Sequence, residues 1–209
     1  MRARRFARRT LIHLLDVLEP WTSRGIPVVV LEPSCLAAFR DELPALLADD
    51  PRAAVLASLA RSAAEHLLAS PGLEAILRDP RRAERGDDLP ARAVIHPHCH
   101  GRAIGTPRAD RELLGRLGFT AEVLDAGCCG LAGSFGYRAE HEPLSRQIGQ
   151  EQWLPKVRSA LGPGGETNLA SGAVPALLVD GFSCKMQLDQ LSDLRSTALI
   201  SIVRRALRC

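Results

Sequence analysis

The sequence predicts an α/β fold, a mostly parallel sheet covered by helices, and three observations point there. Short apolar runs bounded by Gly and Pro alternate with segments of helical periodicity, the pattern of parallel strands joined by crossover helices. The composition is that of an ordinary globular chain: 209 residues, 46% hydrophobic and 24% charged, enough for one substantial core or two small ones. One plan also occurs twice. "PVVVLEPSCLAAFRDEL" and "PALLVDGFSCKMQLDQL" both read proline, apolar strand, acid, then Ser-Cys opening a helix. This echo makes the chain the tail of one repeat with its connecting helices, residues 1–80, followed by a complete second repeat, residues 91–209.

The elements follow in order. Leu11, Leu14, Leu15 and Leu18 recur at helical spacing behind the basic start "MRARRFARRT", which reads as a solvated helix or, less simply, an Arg-rich transit segment. "IPVVVLE" is a strand that stops at Pro33. A helix over about 36–47 keeps Leu36, Phe39, Leu43 and Leu46 on one face, and a second amphipathic helix runs from Pro51 through Val55, Leu59, Ala63 and Leu67 to the turn at Pro71 and Gly72. "RDPRRAERGDDLP" reads as a linker or surface loop. Then come strand "RAVIHP", a helix near 110–117, strand "TAEVLD", a glycine-rich turn, a helix over about 143–161, the loop "LGPGGETNLASGAVP", strand "PALLVD" and a last helix.

Charge excludes several function classes. The net charge is +3, and Lys156 and Lys185 are the only lysines; a nucleic-acid surface would need a clustered basic face with aromatics to stack bases. No apolar stretch approaches the roughly 20 residues of a membrane span, so a cytoplasmic protein is expected, with at most peripheral membrane attachment. "GCCGLAGSFG" does not make GxGxxG, so no dinucleotide site is expected.

The cysteines carry the chemistry. Cys35, Cys99, Cys128, Cys129, Cys184 and Cys209 occur without a secretory signal, which favours metal or redox use over a disulfide scaffold. Cys99, the Cys128–Cys129 pair and Cys184 each follow a predicted strand. The turns at the carboxyl edge of a parallel sheet are where open α/β folds build their sites. Adjacent cysteines bond each other only with strain, yet neighbouring thiolates can ligate neighbouring irons of one cluster. Gly127, Gly130 and Gly133, with Gly136, let the backbone turn tightly and present N–H groups to sulfur. Lys185 beside Cys184 and helix N-termini under all four thiols are expected to lower their pKa values. "HPHCH" sets His96, His98 and His100 around Cys99, a weaker case for zinc, because alternate residues of a strand share a face. Cys209 has no such context.

At these residues the sequence resembles a known family. "LEPSC", "HCH", "DAGCCGLAGSFGY" and "DGFSCKMQ" look like the C-terminal cysteine-rich (CCG) region of FAD-linked D-2-hydroxyacid oxidases and dehydrogenases with fused iron-sulfur domains. More distantly they are similar to the CCG domains of heterodisulfide reductase, glycolate oxidase iron-sulfur subunits and anaerobic glycerol-3-phosphate dehydrogenase. The resemblance implies two tandem repeats of form C, CC, CxxC that relay electrons from a reduced flavin, some holding a 4Fe-4S cluster. Cys99, Cys128, Cys129 and Cys184 match the second repeat, and Cys35 matches the last cysteine of the first. Glu32 and Gly181 stand where each CxxC would begin, and the first repeat's leading cysteines are absent. The expectation is thus an iron-sulfur electron-transfer domain or subunit, with FAD on a missing domain or a flavin-binding, ferredoxin-like partner, either a separately encoded subunit or a truncated frame. By itself it would not oxidise a substrate. The alternatives are a metal-free or zinc-stabilised interaction module and, more weakly, thiol exchange by Cys128 and Cys129.

Overall fold

The structure is a computed structural model and describes residues 2–78, 89–162 and 175–207. Most of the expected linker, most of the expected loop before Pro175, and Cys209 lie outside the described residues. Helix α1 (Arg2–Thr22) turns Leu11, Leu14, Leu15 and Leu18 toward Leu43, Leu47, Ala53 and Leu56 in one small core. Ion pairs tie it down: its Arg8 pairs with Asp49, and Arg52 reaches its Asp16 and Glu19. Strand β1 (Val28–Val30) leads into α2 (Pro33–Ala37), whose first turn holds Cys35. A π turn, Ala38–Glu42, then passes into α3 (Leu43–Leu46). Pro44 explains the π turn: proline lacks an N–H and crowds the carbonyl four residues back, which a widened turn relieves.

The long amphipathic helix expected after Pro51 is divided. Helix α4 (Pro51–Leu59) ends in strand β2 (Ala60–Ser62), which pairs in parallel with β1, Val28 opposite Ala60 and Val30 opposite Ser62. "ARS" has no strand propensity of its own, so the ladder to β1 makes this strand. Ser62 then opens α5 (Ala63–Leu68) through a capping box with Glu65. Arg40 fixes that corner by donating to the Ala60 carbonyl and to the Glu65 carboxylate. Helix α6 (Pro71–Leu77) completes this part.

The second sheet has the order β4-β3-β5, all parallel, from β3 (Arg92–Ile95), β4 (Thr120–Val123) and β5 (Ala176–Leu178). Val94 pairs with Glu122 on one side and Leu177 on the other. Beyond β5, an isolated parallel bridge joins Leu178 to Thr197. Strand alternation divides the core in two. Ala93, Ile95, Ala176 and Leu178 face one apolar layer with α8 (Thr106–Arg116) and α12 (Leu199–Leu207), whereas Val94, Leu177 and Val179 face another with α10 (Leu154–Leu161) and α11 (Phe182–Leu191). The helix expected over 143–161 is α9 (Glu142–Ile148), a π turn Gly149–Trp153 and α10, with Pro155 following the π turn as Pro44 follows the first. The α/β expectation holds, with helices flanking two small parallel sheets.

Candidate metal centre

Because β3, β4 and β5 run parallel, their carboxyl ends lie on one edge of the sheet, and each is followed by a cysteine. Cys99 is the first residue of the short helix α7 (Cys99–Ala103). Cys184 lies in the first turn of α11 and is buried. Cys128 and Cys129 sit in the irregular loop after β4; Cys128 is exposed and Cys129 buried. The thiols of Cys128 and Cys129 lie close enough to act on each other, and that of Cys129 close enough to act on Cys184. Three sulfurs from two loops are thus one connected group. Cys35 and Cys99 line an adjoining cleft of about 580 Å³ with Glu32, His98, Tyr137 and Phe182.

Glycine shapes the paired-cysteine loop. Gly127, Gly130 and Gly133 all have positive φ, at 74°, 103° and 62°. At Gly130 a side chain would also run into the Ser145 carbonyl, and the Gly130 N–H donates to the Cys128 sulfur at 3.3 Å. Buried Gln187 holds the far wall, donating from Nε2 to the Ser145 carbonyl at 2.9 Å. Gly181, one of the two residues at the start of a CxxC-like segment, lies under the His98 ring, which leaves no room for a side chain. Glu32, the other, caps α2 by accepting from the Cys35 N–H at 2.8 Å, and also accepts from the Phe182 N–H at 3.4 Å, at the start of α11.

The electrostatics correct one expectation: Cys128 and Cys129 are not acidified. Contact with Cys129, then burial, pushes the Cys128 thiol up. For Cys129 the contact with Cys128 acts downward but is outweighed by the contact with Cys184 and by burial, leaving it pushed up to about 12. The expected helix dipole is missing at this pair, since the next helix begins only at Glu142, and the Lys185 ammonium is paired with Asp189 at 3.2 Å. At Cys35, burial and then the Glu32 charge raise the thiol. Burial works to raise Glu32 itself, but hydrogen bonds from Ser34, Cys35 and Phe182 hold it below the usual carboxylate range.

The histidines separate. His96 and His98 are buried, and His100 is exposed. His98 Nδ1 accepts from the His100 N–H, and its Nε2 faces the Ser183 hydroxyl at 3.4 Å. His96 Nδ1 accepts from Trp153 Nε1 at 3.1 Å, and its Nε2 is buried without a hydrogen-bond partner. The His96–Trp153 pair and the Gln187–Ser145 brace were not legible as site features. The signal for His96 was the alternation Val94, His96, His98, which carries the inward face of β3 past the strand's end.

Among the described residues, no three His, Cys, Asp or Glu side chains are arranged to hold a single metal ion. An iron-sulfur cluster makes a different demand, because it is several atoms across and its ligand sulfurs surround it rather than meet at a point. Connected thiols, two more across an open cleft, a backbone N–H already on sulfur and an orphaned buried imidazole nitrogen fit that demand.

No protein-family profile and no solved structure matches the chain. Curated proteins do. One subunit of the anaerobic glycerol-3-phosphate dehydrogenase of Escherichia coli K12 is 28% identical over 202 residues, covering 96% of this chain and 45% of that protein. The D-2-hydroxyglutarate dehydrogenases of Haemophilus influenzae and Pantoea ananatis are each 25% identical, over 183 and 190 residues, 86% and 90% of this chain. The chain spans a little under half of the first relative and 16% of the other two. No helix among the described residues is long and apolar enough to cross a membrane. The chain is thus homologous to a region of dehydrogenases and dehydrogenase subunits, the families that its cysteine motifs resemble.

Proposed function

We propose that this chain is an iron-sulfur electron-transfer domain or subunit of a flavin-linked oxidoreductase of the 2-hydroxyacid type. The ligands are Cys99, Cys128, Cys129 and Cys184, with Cys35 as a fifth candidate, and the chain comprises the tail of one CCG repeat (1–80) and a complete second one (91–209). The observation that carries this reading is the contact of Cys128, Cys129 and Cys184 at the carboxyl edge of a parallel sheet. The names of the relatives support the redox context.

A bound 4Fe-4S cluster would take up and release single electrons, which no protein side chain here does. The chain's own residues supply the rest. The positive-φ glycines fold the paired cysteines into a tight loop, Gly130 N–H neutralises charge on the Cys128 sulfur, and Gln187 braces the loop against Ser145. Neutral thiols must lose protons to become ligands, so loading releases protons and is favoured by higher pH. The cleft beside Cys35 and Cys99 leaves the site open on one side, where a flavin-bearing and ferredoxin-like partner or domain would deliver electrons.

Anaerobic purification, reconstitution with iron and sulfide, and assay of both elements tests this reading. Bound iron and sulfide in a brown protein, mostly lost in Cys128→Ser, is the expected result. Iron-free protein after reconstitution overturns it, and stoichiometric zinc in a colourless protein would favour a structural interaction module.

A further inference from the structure

The two Ser-Cys segments agree in structure beyond their turns. Pro27 precedes β1 as Pro175 precedes β5, so residues 28–31 correspond to 176–179. Val30 pairs with Ser62, which opens α5, and Leu178 bridges Thr197, two residues before α12. The opposite edges of the two strands differ. Strand β5 is covered there by β3, from Ala93 opposite Ala176 to Ile95 opposite Leu178, whereas β1 pairs with β2 alone among the described residues. The faces differ in the same sense. Leu177 and Val179 are 1% and 2% exposed, in one core with Cys129, Leu131 and Trp153. Their counterparts Val29 and Leu31 are 40% and 58% exposed.

Strands of a parallel sheet are normally buried on both faces, and an unpaired edge is a template for another strand. No charged side chain or proline guards that edge within Val28, Val29 and Val30. The molecule itself shows what fits there. In the second repeat the same edge takes a parallel apolar strand, and the same face takes the core of the paired-cysteine loop. We propose that β1 is an interaction surface for a partner polypeptide of like architecture, which lays a parallel strand along the free edge and a loop over Val29 and Leu31. Main-chain hydrogen bonds supply the affinity of such strand addition, and the two apolar side chains its specificity. The docked loop also roofs Cys35, which is exposed here, as its counterpart Cys184 is buried. The proposal rests on the reading of residues 1–80 as the tail of a repeat, and it names the surface at which the rest of that repeat is supplied.

Backbone hydrogen exchange of the full chain, resolved by residue, tests the assignment. In the chain alone the outward amides of β1 are expected to exchange roughly tenfold faster than those of β5; slow exchange throughout β1 of a monomer overturns the proposal, because the edge is then already covered. The missing strand is next supplied as a segment copying residues 91–96, which contain β3. It is joined ahead of Met1 by a Gly/Ser linker of about 30 residues, whose span of roughly 30 Å matches the length of α1. Tethering raises the effective concentration enough to populate a weak pairing. The β1 amides are expected to slow roughly tenfold, with those of β4, the other sheet's free edge, unchanged. No slowing, or slowing at β4 alone, overturns the proposal. Leu31→Lys, at an exposed side chain, is expected to return β1 to within about twofold of the untethered rates; protection that survives it overturns the assigned face. Slowing that appears in the untethered chain as its concentration rises assigns the edge to a second copy and overturns the partner named here. Iron assay of the same samples keeps the two readings apart. Protein that takes up no iron removes the cluster and leaves the β1 result standing, and loaded protein with an unresponsive β1 removes the interface alone.

Discussion

The turn that carries Cys35 and the turn that carries Cys184 begin from the same plan and end in different chemistry. Both follow a short parallel strand, and both place cysteine in the first turn of a helix. The acid differs by one position. Glu32 stands three residues before its cysteine and caps its own helix; Asp180 stands four before and turns away to accept the Leu199 N–H at 2.8 Å. Gly181, left in the equivalent place, admits the His98 ring. Neighbours complete the divergence, since Cys184 is sealed beneath the paired-cysteine loop and touches Cys129, whereas Cys35 opens on a cleft beside a carboxylate. Local sequence sets where a cysteine sits in its turn. What the thiol can do depends on which loop arrives over it.

The strongest way to break the Cys184 side is to displace that loop. Gly130→Ala adds a strained positive φ to a collision with the Ser145 carbonyl, and is expected to destabilise by about 3 kcal/mol in urea unfolding. Gly133→Ala, with positive φ but open space, is expected to cost only ~1 kcal/mol. A ratio near one would mean that the loop is not held by Ser145.

Ligand substitution separates the two turns next. In reconstituted protein, Cys184→Ser is expected to lose most of its iron and Cys35→Ser to keep most of it, read by iron assay; equal losses would make the two turns equivalent after all.

The acids give the comparison a pH dependence. Burial, then the Asp180 and Glu65 charges, raises Asp110 to about 7, and burial raises Asp180 to about 6 against the bond from Leu199. Both line the cavity between α2, α8 and α12. Folded-state values above the unfolded ones mean that the native protein holds protons the unfolded chain has released. This contribution is complete below the unfolded carboxyl range and is lost as pH rises through about 6 to 7. Asp110→Asn is expected to reduce the stability lost between pH 5 and 8 by roughly 2 kcal/mol, measured by unfolding at each pH. An unchanged slope would remove Asp110 from that account.

The smallest effect lies at Cys35. Because the Glu32 charge helps to raise that thiol, Glu32→Gln is expected to speed its alkylation a fewfold at pH 8, with Cys184 unaffected. A slower reaction would show that capping of α2, and not charge, governs Cys35.

Much of this was legible in the chain. β1, β3, β4 and β5 appear as apolar runs, and the echo between the two Ser-Cys turns correctly places both at strand-to-helix junctions. Strand β2 was hidden because Ala60, Arg61 and Ser62 become a strand only beside β1. The two π turns were hidden because the proline that causes each is compatible with a plain helix start. Low thiol pKa values were expected from charge and dipoles near the cysteines in sequence. At Cys128 and Cys129 they failed because the neighbouring sulfurs and burial oppose ionisation there, and because no helix opens at the pair. The His96–Trp153 clamp joins residues 57 apart, a pairing that periodicity does not report.

Glu32 also has a bearing on how the molecule assembles. Its carboxylate receives N–H groups from Cys35, three residues on, and from Phe182, 150 residues on. The near bond forms as soon as α2 does, while the far one waits for the last third of the chain, and closing so long a span is entropically slow. The Cys35 turn therefore acquires its final shape late, and a chain stalled before the arrival of α11 would present that thiol with only half of its native surroundings.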